Sequence, residues 1–99
     1  MTEYPFLFAP TAVANEVNGC RPGARHALLI FVTAADFEAA QRRAEGAALG
    51  AGWTMVQLNK GKPIDGEPMG DAMLDSALEA ALEKGSAIVV YADELPSDA

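Results

Sequence analysis

Ninety-nine residues suffice for one compact domain and are too few for two. Half of them are apolar (51%) and 21% are charged, the balance of a globular chain rather than a disordered one. The longest uninterrupted apolar run has six residues (27–32) against the roughly 20 that span a bilayer, so an integral membrane helix is excluded; a net charge of −7 opposes docking on nucleic acid or anionic lipid by bulk electrostatics.

The chain begins Met1-Thr2-Glu3-Tyr4-Pro5, acidic and then broken by proline, where an export signal would carry a basic region and an apolar stretch. Cys20 is the only cysteine, so neither an internal disulfide nor a multi-cysteine metal site is available. Both points make a cytoplasmic location the economical expectation.

In chain order, Tyr4, Phe6 and Phe8 alternate with Pro5 and Leu7, which suits an extended edge segment, and residues 11–17 have the length of two helical turns before Asn18-Gly19. Three aromatics in five residues are too apolar for a solvated arm, so residues 1–25 are expected to pack on their own domain or on a neighbouring copy. Residues 26–35, HALLIFVTAA, form a continuous block of β-branched and aromatic side chains and read as a central strand buried on both faces. Asp36 then fits a helix N-cap, and Phe37, Ala40, Ala44, Ala47, Ala48 and Ala51 form one apolar stripe ending at Gly50 and Gly52. Residues 53–59, WTMVQLN, read as a strand with Thr54, Val56 and Leu58 on one face and Trp53, Met55 and Gln57 on the other. Three glycines and two prolines in residues 60–70 mean a loop with at most a short edge strand around residues 62–64. A second helix spans about residues 71–84, with Leu74, Ala77, Leu78, Ala81 and Leu82 on one face and Gly85 as its stop, and residues 86–92 form a last strand. The domain is thus expected over residues 26–93, followed by a frayed tail at 94–99.

Strand, helix, strand, loop, helix, strand leaves two layouts: a ferredoxin-like two-layer α+β sandwich with both helices on one face of the sheet, or a minimal three-stranded parallel α/β arrangement with right-handed crossovers. The first needs a central strand around Pro63, and the second lacks the helices to cover a parallel sheet. The open sandwich is the preferred expectation. An apolar strand leading into Ala35-Asp36-Phe37-Glu38-x-Ala40, then Gly52-Trp53, then Gly85-Ser86 before Ile88-Val89-Val90-Tyr91, resembles a class of small uncharacterised bacterial α+β proteins over residues 26–91. That resemblance implies a ferredoxin-like sandwich that often dimerises and carries over no active-site residue.

Motifs that bear chemistry are mostly refused. Cys20 stands six residues before His26 in Gly19-Cys20-Arg21-Pro22-Gly23, a spacing that reads as a turn cysteine near a histidine rather than a nucleophile and its base. His26 is the only histidine, which leaves no expected transition-metal site. Asp65-Gly66-Glu67 with Asp71 fails the calcium-loop pattern at Met69, and Gly61-Lys62 is followed by Pro63 where a phosphate loop needs Ser or Thr. Gly46, Gly50 and Gly52 sit in the wrong order for a dinucleotide fingerprint and mark helix packing and termination. No catalytic residue and no cofactor is expected.

Two constellations remain. His26, Trp53 and Tyr91 would wall a small-ligand cleft between the sheet and residues 60–70 if their strands are neighbours, although such aromatics more often form core. Asp71, Asp75, Glu79 and Glu83 recur every four residues along the second helix, a solvated acidic ridge or a docking face for a basic protein partner. Residues 1–62 hold five acids against six bases, whereas residues 63–99 hold nine acids and only Lys84, so the acidity belongs to the C-terminal third. The leading functional expectation is a protein–protein interaction module working as a homodimer, from the aromatic N-terminal segment, Leu49 on the outer face of the first helix, and the lack of a catalytic set. The rivals are a ligand-binding or catalytic cleft and an acidic protein that neutralises a basic partner.

Overall fold

The apolar block at the middle of the chain forms the axis of the molecule, strand β3 (Arg25–Ala34). The structure is a computed structural model that describes residues 3–15, 23–58, 61–65, 67 and 70–94. Before β3 come β1 (Tyr4–Phe8) and β2 (Thr11–Val13), and after it α1 (Phe37–Gly50), β4 (Thr54–Gln57), β5 (Gly61–Pro63), α2 (Ala72–Lys84) and β6 (Ser86–Glu94).

All pairings are antiparallel. On one side of β3, β1 and β2 behave as a single interrupted strand. Phe8 faces Ile30 and Thr11 faces Ala27 without a change of register, and the Leu28 amide donates to the Pro10 carbonyl (2.9 Å) across the break. Beyond them β5 pairs with β1 and β4 with β2, forming a second interrupted lane, and β6 pairs with the other side of β3. The six strands therefore fill four lanes, in the order β4/β5, β1/β2, β3, β6.

This corrects the expected layout: the class is α+β, but neither a ferredoxin-like βαββαβ order nor a three-stranded parallel sheet is formed. The connection through α1 carries the chain from β3 over the β1/β2 lane, so the two lanes that run in the same direction are separated by an antiparallel one. Nor do the helices share a face. Along a strand successive side chains point to opposite sides. Leu28, Ile30, Val32 and Ala34 join Phe6, Phe8, Ala12 and Trp53 under Ala40, Ala44 and Ala48 of α1. Phe31 joins Val89 under Leu78 and Ala81 of α2. One helix covers each side of the central strand, as its continuous apolar run required.

Local chemistry explains the boundaries. Asp36 caps α1 by accepting from the Ala39 amide (2.8 Å), and the fully buried Ala40, Ala44 and Ala48 let the helix lie close to the sheet. Asp71 caps α2 by accepting from the Met73 and Leu74 amides, and Gly85 ends it in the left-handed conformation (φ 101°) with its amide on the Ala81 carbonyl. The face alternation expected for residues 53–59 is broken. Met55 takes a left-handed φ of 48° where the register between β2 and β4 shifts, so Trp53, Val56 and Leu58 all reach the α1-side core and Met55 stands 68% exposed.

Candidate functional site

His26, Trp53 and Tyr91 do come together, but as a knot in the core and not as walls of a cleft. His26 is 1% exposed and Trp53 3% exposed, with ring centroids 5.8 Å apart in an edge-on arrangement. The tie to Tyr91 is through its backbone: the His26 Nδ1 lies 2.9 Å from the Tyr91 carbonyl oxygen. A carbonyl only accepts, so Nδ1 donates this bond and only Nε2 remains to be satisfied. That Nε2 is buried without a hydrogen-bond partner among the described residues. The contact sits where the register of β6 against β3 shifts between Val90 and Glu94. The Tyr91 side chain itself is half exposed.

The acidic series on α2 is divided in use. Asp71 is spent on the helix cap, Asp75 is half-buried, and Glu79 and Glu83 are exposed. Cys20 lies outside the described residues. Among the described residues no group of three His, Cys, Asp or Glu side chains could hold a metal ion, and no helix is long and apolar enough to cross a membrane. On the opposite end of the sheet Arg43 ties α1 to the N-terminus: its Nη1 donates to the Thr33 carbonyl and to Glu3 Oε2 (3.3 Å), while Thr33 Oγ1 donates to Glu3 Oε1 (3.3 Å).

Two surface features stand out once the lanes are traced. The first is a groove of about 680 Å³ where both the β1/β2 and the β4/β5 lanes are interrupted. Phe8, Phe37 and Leu58 line it together with Ala9, Gln41 and Gly61. Phe37, the first residue of α1, is 43% exposed although it packs on Phe6 (6.1 Å) and Phe8 (5.5 Å). Gly61 is obligatory here, since a Cβ would sit 2.3 Å from the Phe8 ring. None of His26, Trp53 and Tyr91, the residues expected to wall a cleft beside residues 60–70, lines this groove.

The second feature is the contrast between the two sheet edges. The β4/β5 edge consists of strands of four and three residues, is bent at Met55, and carries Lys62 and Pro63. These are the devices that stop a sheet edge from recruiting another strand. The β6 edge runs for nine residues, and its segment 86–91 reads SAIVVY, without charge or proline. Thr33 N donates to the Gly85 carbonyl, so by alternation the groups of Ser86, Ile88 and Val90 face away from β3, where β6 has no strand partner among the described residues. Val90 is 39% exposed, and Leu49, expected on the outer face of α1, is half exposed. No family model, no curated protein and no solved structure matches this chain.

Proposed function

We propose that the protein acts by protein–protein contact as a homodimer, with β6 of one copy pairing antiparallel to β6 of the other. The observation that carries this reading is the unguarded edge: a nine-residue strand whose first six residues carry no charge, with an outward row of amides and carbonyls that has no strand partner among the described residues, while the second edge is short, bent, charged and capped by proline. An edge of that kind is a liability in a monomer and a seam in a dimer. Antiparallel pairing about a two-fold axis uses the same strand from both copies and so closes the assembly at two, while the guarded edge discourages growth beyond it.

Light scattering after size exclusion tests this directly. The wild type is expected at twice the 10.4 kDa chain mass at tens of micromolar. Val90→Lys, at an exposed position, brings an ammonium group from each copy into the seam and returns the mass to 10.4 kDa with an unchanged circular-dichroism spectrum. Val90→Thr, which keeps the strand propensity, stays dimeric. A wild type that remains monomeric, or a dimer indifferent to Val90→Lys, refutes the assignment.

A further inference from the structure

We infer that the flank of α2 formed by Met73, Ala77 and Ala80 is the second half of the dimer interface, packing antiparallel against the same flank of α2 in the other copy. The inference rests on the proposed pairing of β6, and it adds to that seam a helix contact that strand pairing alone does not require.

The fold places this flank at the free edge. Helix α2 covers β3 and β6, its Leu78 and Ala81 meeting Phe31 and Val89. At about 100° per residue, Leu82 and Met73 stand on opposite sides of the helix. Leu82 lines a cleft with Thr33 of β3 and with Glu3, the residue that leads into β1. Since β1 and β6 lie on opposite sides of β3, Leu82 faces the β1/β2 lane and Met73 faces the β6 edge. Ala77 and Ala80 fall within about 40° of Met73, so the three form one row above that edge. Met73 is 59% exposed, the most exposed large apolar side chain of the helix, and both alanines are half-buried.

Geometry and charge commit the row to a second copy. When a β6 strand from each copy meets at the seam, a helix lying over β3 and β6 finds its image two strand spacings away, about 9.6 Å. Helices pack at ~8–10 Å. Adjacent strands are rotated by about −20 to −25°, so two spacings turn the helices by about −45°, close to the commonest packing angle near −50°. Alanine at two of the three positions leaves room for this approach, and the flexible Met73 side chain fills what remains. Within α2, Asp75, Glu79 and Glu83 are all turned about 90–170° from the centre of the row, and its only charged continuation is Lys84 in the last turn. A basic partner would meet no carboxylate along this row. An identical copy meets an uncharged one.

Two measurements on the full chain test the contact. In ¹⁵N-labelled protein diluted through the dimer range, the amides of Met73, Ala77 and Ala80 are expected to shift together with those of Ser86, Ile88 and Val90, and to stay constant with concentration in Val90→Lys. Ala80→Glu places a carboxylate from each copy in the contact, whereas Ala72→Glu adds the same charge at an exposed position about 100° from the centre of the row. At 1 M salt, where repulsion is screened beyond about 3 Å, sedimentation equilibrium should find dimerisation weakened about tenfold or more by Ala80→Glu and changed less than about twofold by Ala72→Glu. A wild type that stays monomeric overturns this inference and the β6 seam together. A dimer that is lost in Val90→Lys but tolerates Ala80→Glu as well as Ala72→Glu, or that forms without moving the three α2 amides, overturns the helix contact and leaves the strand pairing standing. The spectra themselves report whether a variant has kept its fold.

Discussion

The buried imidazole of His26 makes opposed contributions that substitution can separate. Truncation to alanine empties a site that is 1% exposed, removes the edge-on contact with Trp53 and strips the Tyr91 carbonyl of its donor. Large-to-small changes in a core cost ~2–5 kcal/mol, and a lost hydrogen bond adds ~1. Against these stands the relief of Nε2, whose unpaired burial costs ~1–2 kcal/mol. The net expectation for His26→Ala is a loss of about 3 kcal/mol, or a fall of roughly 12–24 °C in Tm for a domain of this size. His26→Phe fills the site and abolishes the unpartnered nitrogen at the expense of the Tyr91 bond, so the two polar terms nearly cancel and the variant should lie within about 1 kcal/mol of wild type. Urea unfolding at constant m value, with all proteins at one concentration and in the Val90→Lys background to remove linkage to association, provides the comparison. A phenylalanine variant less stable than the alanine variant would show that the bond to Tyr91, not packing, governs the site, and the reasoning would fail.

Glycine and cap substitutions give further checks. Gly61→Ala must displace the Phe8 ring and should cost about 1–3 kcal/mol by thermal melting, whereas Gly46→Ala, on α1 with nothing within 4 Å of the added methyl, should stabilise by ~0.5–1 kcal/mol. A neutral Gly61→Ala would mean that Phe8 is not held against the strand. Asp71→Ala removes the acceptor for two first-turn amides of α2 and should cost about 1 kcal/mol by denaturant titration, with Asp71→Asn retaining most of it.

Helices, their caps and the central strand could be read from the chain because each is decided by neighbours in sequence: Asp36 and Asp71 before apolar stripes, Gly85 after one, and the unbroken run in β3. Lane order could not, because Pro5 and Pro10 argue for an edge. Pro5 escapes that argument by geometry. Its carbonyl accepts from the Ile64 amide, so its missing donor faces the short outer lane and the ladder with β3 loses nothing. Pro10 is placed where the strand is already interrupted. The same long-range facts decided the sites. His26, Trp53 and Tyr91 were grouped as strand-face aromatics, but Trp53 precedes β4, and whether such a group lines a cleft or fills a core depends on α1 closing over it. Phe37 looked like one more residue of an apolar stripe, and its role as a groove wall appears only when Phe8 and Gly61 are brought beneath it.

The concentration of acids in the C-terminal third bears on the proposed dimer in a way that can be measured. When two β6 strands pair antiparallel in a continuing sheet, the two-fold axis is perpendicular to the sheet, so both copies present the same face on the same side. Helix α2 packs on β6 and β3, and the two α2 helices therefore approach across the seam, each with exposed Glu79 and Glu83. Like charges at that spacing oppose association, and salt screens them, the screening length being about 10 Å at 0.1 M ionic strength and about 3 Å at 1 M. Association driven by main-chain pairing and apolar burial against this repulsion should tighten several-fold between low and high salt, and Glu79→Gln/Glu83→Gln should both tighten it and flatten the salt dependence. Sedimentation equilibrium over a salt series reads this out. Association that weakens with salt would mean that opposite charges meet at the interface, and since the acids of α2 would then need a basic surface in contact with them, β6 pairing could not be the contact that holds the copies together.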